Sequence, residues 1–76
     1  MNKEEFLEKL TDILQKEETC TINDMLNDYE EWDSLSKISI IAFFDKEFNQ
    51  KINFEDIENA QSIQDLINLA GEHLDV

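Results

Sequence analysis

The sequence predicts an all-α fold, and three observations carry the prediction. Apolar residues recur at the three-and-four spacing of a helix rather than in strict alternation. No internal repeat, low-complexity tract or Pro/Gly-rich linker divides the chain, which contains one glycine and no proline. Asn2, Asp33, Asn53 and Ser62 each stand where a helix-patterned run begins, as residues that cap helix N-termini do. Seventy-six residues allow one domain, 1–76, with a small core and marginal stability.

The first helix is expected over about 3–17. Asn2 caps it, Glu5 completes a capping box, and Phe6, Leu7, Leu10, Ile13 and Leu14 fall on one stripe. Glu5 with Lys9 and Asp12 with Lys16 form i,i+4 pairs on the opposite face. From Glu18 to Trp32 the period is lost, and Thr19, Thr21, Asn23, Asp24, Asn27 and Asp28 compete for backbone hydrogen bonds. A long ordered loop is expected, pinned by Ile22, Met25, Leu26 and Trp32, with a short helical turn near Met25.

The second helix is expected over about 34–49, capped by Asp33, with Leu35, Ile38, Ile41, Ala42 and Phe48 among its buried positions. Ile40, Phe43 and Phe44 add apolar surface at other angles, so this helix is either enclosed on several sides or leaves an apolar strip exposed. Asn53 with Asp56, and Ser62 with Asp65, repeat the capping-box spacing for a short helix at about 54–59 and a last one at about 63–74. Phe54, Ile57, Ile63, Leu66, Ile67 and Ala70 close the core.

Charge narrows the function classes. Nineteen carboxylates against six lysines give a net charge of −13, which argues against nucleic-acid binding and favours partners with basic patches. Cys20 has no second cysteine to pair with, and reads as a small packing residue or a solvent-facing bystander. The opening residues, Met1-Asn2-Lys3-Glu4-Glu5, lack the apolar core of a signal peptide, and no run approaches the ~18 apolar residues of a membrane span. A soluble, cytoplasmic, unprocessed chain without membrane insertion is expected. No EF-hand spacing or other metal cluster occurs, so no metal site is expected.

The most informative stretch is Trp32-Asp33-Ser34-Leu35. Ser34 lies in the first turn of a helix, where unpaired N–H groups and the positive end of the macrodipole favour an attached phosphate. Four helices in this order, a long loop after the first, and Asp33-Ser34-Leu35 at the head of the second make the chain resemble the acyl carrier protein family over essentially its whole length. Glu47-Phe48-Asn49 with Ile52 resembles the end of that family's second helix and the loop after it. The resemblance implies a four-helix bundle of acyl-carrier-protein type with a long loop between helices 1 and 2 and a short third helix. It also implies a 4′-phosphopantetheine esterified to Ser34, with Asp33 and Leu35 as the matching neighbours, and acyl groups carried on the thiol of that arm. A phosphopantetheinyl transferase using coenzyme A and a divalent metal is the implied loading partner, followed by acyl-loading and acyl-transfer enzymes with basic docking patches.

The residues themselves point the same way. No acid and base pair, nucleophile constellation or metal cluster supports an enzyme, and no catalytic residue is assigned. Ser34 has no evident base, because His73, the one histidine, reads as a solvated residue near the C-terminus. Glu31, Ser36, Asp45, Glu47 and Asp56 are the expected docking positions, and the resemblance implies an acyl pocket at Ile38, Ile41, Ile57, Ile63 and Leu66. Two departures stand out: Glu31 and Trp32 precede the motif where many family members have a small residue, and Ser36, Lys37, Ser39 and Lys46 dilute the acidic second helix. They leave room for a dedicated carrier outside bulk fatty-acid synthesis. Phenylalanines along the second helix narrow any interior route, so short or polar cargo is expected. Two alternatives stay open: an aminoacyl or peptidyl carrier, and a helical adaptor that docks through its acidic face without a prosthetic group. A monomer suits a shuttle that visits several enzymes.

Overall fold

A computed structural model describes residues 1–74. Among them are four α-helices and no strand: α1 (Lys3–Leu14), α2 (Ser34–Phe48), α3 (Phe54–Asn59) and α4 (Ile63–Ala70). Each begins at a side-chain cap. Asn2, Asp33, Asn53 and Ser62 accept the N–H of Glu5, Ser36, Asp56 and Asp65 respectively. At α4 the acid of the expected capping box is displaced by one position, because the Asp65 carboxylate accepts the N–H of Gln61 at 2.8 Å.

The helices enclose one core. Phe6 and Leu10 of α1, Ile40 and Phe44 of α2, Ile57 of α3 and Ile63 and Leu66 of α4 are all fully buried. Phe6, Phe43, Phe44 and Phe48 pack as an aromatic cluster, with Phe6 and Phe44 edge to face at 5.8 Å. The radius of gyration, 11.1 Å, matches the roughly 11 Å of a close-packed chain of this length.

Two helices end before their expected limits. α1 stops at Leu14 rather than Glu17, because Gln15 turns left-handed at φ 56° and the N–H groups of Gln15 and Lys16 fold back onto Asp12 and Thr11. α4 stops at Ala70 rather than Leu74: Gly71 adopts φ 54°, which a side chain resists, and a 3-10 turn (Gly71–His73) follows.

The α1–α2 loop is ordered by hydrogen bonds as much as by apolar pins. Leu26 is fully buried and begins a 3-10 turn (Leu26–Asp28), but Ile22 and Met25 are 42% and 45% exposed, contrary to expectation. Instead the loop backbone docks on the α3–α4 connection, with Leu26 N–H donating to Gln61 O and Ile63 N–H donating to Asp24 O. The second bond also satisfies a donor of the α4 N-terminus. The Asp24 carboxylate accepts the Tyr29 hydroxyl at 2.6 Å and the Thr21 hydroxyl at 2.8 Å. Buried Thr11 accepts the N–H of Cys20 at 2.9 Å and donates to Leu7 O, tying the start of the loop to α1. Cys20 itself is a core residue, 1% exposed.

α2 presents a different face to the core from the one expected. Ser36, Ile40 and Phe44, four residues apart, point inward. Leu35, Ile38 and Ala42 are exposed, and Ile41 and Phe48 are half-buried. Apolar side chains stand on nearly every side of this helix, so periodicity alone does not choose a face. The polar residue at the first inward position hides the true stripe. Phe54, also expected in the core, is 38% exposed at the start of α3.

Candidate functional site

The site is built on the first turn of α2. Asp33 is extended (φ −127°, ψ −178°) and forms a reciprocal capping box with Ser36. Its carboxylate accepts the Ser36 N–H at 2.9 Å, while the Ser36 hydroxyl accepts the Asp33 N–H at 3.1 Å. That hydroxyl also lies 2.8 Å from Glu31 O and 3.0 Å from Asp33 O, either of which can take its proton. The Ser36 N–H holds Asp33 below the ordinary carboxylate range, so the cap is ionised at neutral pH.

Ser34 is the first residue of α2 and is exposed. No hydrogen bond among the described residues engages its hydroxyl. His73 is remote from it: the imidazole stacks on Phe48 at 5.1 Å, at the far end of α2, about 21 Å along the helix from Ser34 at 1.5 Å per residue.

Lys37, one turn on, holds its ammonium 5.4 Å from the Trp32 ring and 3.7 Å from the Glu58 carboxylate, linking the residue before the motif to α3. A phosphate ester on Ser34 fits these surroundings: an exposed hydroxyl at a helix N-terminus favours an anion, against the nearby carboxylates of Asp33 and Glu31.

The surface has a groove beside the motif and a depression away from it. A groove of about 200 Å³ runs between the end of α1 and the start of α2, lined by Ile13, Gln15, Glu31, Asp33, Leu35 and Ser39 among others. A wider and more open depression of about 340 Å³ lies between α3 and α4, at Asp56, Asn59, Ala60, Asp65 and Leu69. Only the first is contiguous with the motif. Sequence reading missed it, because the helical pattern runs on past Leu14, where α1 ends.

No family model matches the chain. An acyl carrier protein of Petrotoga mobilis is 27% identical over 81 residues, covering all of this chain and 95% of that protein. A solved structure from Mycobacterium tuberculosis, provisionally described as an acyl carrier protein, superposes with a TM-score of 0.71 at 29% identity, covering 86% of this chain and 89% of the other. The chain is similar to acyl carrier proteins in both sequence and fold. Acyl carrier proteins are carriers and not enzymes.

Within this acyl carrier fold the remaining expected positions separate. Glu31 is half-buried, while Asp45, Glu47 and Asp56 are exposed. Ser36 is 7% exposed and its hydroxyl is occupied, which removes it from the docking surface. Of the expected pocket, Ile57, Ile63 and Leu66 are fully buried together, Ile41 is half-buried, and Ile38 points outward at 55% exposure. Ile38 therefore does not line an interior pocket. Ile40, directed inward on the other face of α2, takes that place in the core. No helix among the described residues is long and apolar enough to cross a membrane.

Proposed function

We propose that this chain is one carrier domain, residues 1–76, that bears a 4′-phosphopantetheine arm on Ser34 and presents acyl or other carboxylic groups to partner enzymes in the cytoplasm. The carrying observation is the exposed Ser34 hydroxyl, without a hydrogen bond among the described residues, at the N-terminal turn of α2. The arm, once attached, supplies a thiol on which such groups ride as thioesters. This chain's residues do the rest. The Asp33–Ser36 box fixes the helix start, the first-turn N–H groups and dipole stabilise the ester phosphate, and Leu35 and Ile38 form an apolar step beside the attachment point. Asp45, Glu47 and Asp56 offer carboxylates to basic patches on a phosphopantetheinyl transferase and on the loading and transfer enzymes, and Glu31 adds a half-buried one beside the motif.

Incubation with coenzyme A, a divalent metal and a transferase of broad specificity, read by intact mass, tests the reading. The chain is expected to gain one phosphopantetheine, and Ser34→Ala to fold with unchanged helicity and gain nothing. An unmodified wild-type chain would instead indicate an adaptor without a prosthetic group.

The core supports short or polar cargo. Phe6, Phe44, Ile40, Ile57, Ile63 and Leu66 are all at 0% exposure and fill the space between the helices, so a long chain entering there must displace packed side chains. Loading with a short acyl group is expected to raise the melting temperature more than loading with a long one. Equal or greater stabilisation by the longer chain would refute the cargo reading.

A further inference from the structure

We propose that the groove between the end of α1 and the first two turns of α2 seats the amide-bearing part of the arm attached at Ser34, so that the arm lies along the outside of the bundle; this rests on the attachment reading above. The groove exists because α1 ends early. Gln15 at φ 56° turns the chain away from the helix axis, and the space that another turn would fill is left open opposite Leu35 and Ser39.

The lining suits such an arm. Ile13 and Leu35 provide apolar wall, while Gln15, Glu31 and Ser39 provide polar groups. An arm of this kind carries two amides, a hydroxyl and a dimethyl carbon. Its amide N–H groups can donate to the Glu31 carboxylate, its carbonyls can accept from Gln15, and its dimethyl carbon can rest on Ile13 and Leu35. Glu31 and Asp33 on the rim disfavour an anionic occupant, which makes the uncharged middle of the arm a better fit than a free carboxylate.

Size and tethering are consistent with this. A volume of about 200 Å³ is below the ~300–1,000 Å³ of sites that enclose drug-sized ligands, so it accommodates a segment and not a whole loaded arm. A short tether holds its end at an effective concentration on the order of millimolar, so even a site with a dissociation constant of about 1 mM is occupied roughly half the time. Seating in the groove displaces nothing. Entry into the core, by contrast, means parting Ile40, Phe44, Ile57, Ile63 and Leu66.

The test compares isotope-labelled apo protein with holo protein whose mass shows one attached phosphopantetheine. Shifts are expected at the Ile13 methyls and the Gln15 and Ser39 amides, with cross-relaxation between the arm's dimethyl protons and Ile13. Ser39→Leu, which puts a larger side chain into the groove, is expected to gain the same mass and lose the Ile13 shift. Perturbations limited to residues 33–36 would place the arm in solvent, and perturbations at Ile57, Ile63 and Leu66 would place it inside; either overturns the groove while attachment stands. A chain that gains no mass overturns both.

Discussion

The carboxylate of Asp33 caps α2 and at the same time places one negative charge beside the residue proposed to bear a phosphate. Capping wins because the N–H of Ser36 is aimed at it and the helix dipole favours an anion there. The sign of its pH dependence follows. A carboxylate held below its ordinary value contributes stability that is present above about pH 4 and is lost as pH falls through the depressed folded-state value. Asp33→Ala is therefore expected to melt below the wild type at pH 7, with the gap closing as the pH is lowered below about 4; thermal unfolding followed by circular dichroism at a series of pH values measures it. A gap independent of pH would mean that charge has no part in the cap. Ser34 and Asp33 were both legible as a motif at a helix start. The second half of the box was not, because serine at the third helical position reads as a plain surface residue until Glu31 is seen to approach its hydroxyl.

At the scale of the element, starts were legible and ends were not. A helix start depends on one side chain reaching an N–H three residues on, which spacing alone reports. The end of α1 depends on Gln15 accepting a left-handed conformation that costs an L-residue about 1–2 kcal/mol, and nothing in Leu14-Gln15-Lys16 announces this. The reason lies in tertiary contacts: Thr11 must meet the N–H of Cys20, and a longer helix would carry the chain past it. Gln15→Gly is accordingly expected to raise unfolding stability by about 1 kcal/mol in urea denaturation, since glycine adopts this conformation without the side-chain penalty. No gain would show that the turn is free of strain. The face of α2 was equally hidden. Leu35, Ile38, Ile40, Ile41, Phe43 and Phe44 surround the axis, and only packing against Phe6 and Ile57 selects Ile40 and Phe44 for the interior.

For the whole molecule, charge sets the conditions for stability. A net charge of −13 is carried on a body of 28 × 24 × 17 Å, and at 0.01 M ionic strength the screening length, roughly 30 Å, exceeds every dimension. Nearly all its carboxylates then repel one another. At 0.15 M that length falls to about 8 Å and the repulsion becomes local. Ion pairs such as Lys16–Glu31 at 4.0 Å, Lys37–Glu58 at 3.7 Å and Lys51–Asp45 at 3.5 Å involve side chains in contact with solvent and offset little of it. The melting temperature is expected to rise by several degrees between 0.01 M and 0.15 M sodium chloride, measured by calorimetry. A flat response would mean that the acidic surface is already neutralised by bound cations.

The sequence alone determined the helical class, the four capped starts and the position of the serine, because each rests on interactions within a few residues. The tertiary structure decided which face of α2 is buried, where α1 ends, how the loop is held, and that a groove opens beside Ser34. Those outcomes depend on contacts between segments far apart in the chain, such as Thr11 with Cys20, Asp24 with Ile63 and Phe6 with Phe44, which no local pattern encodes.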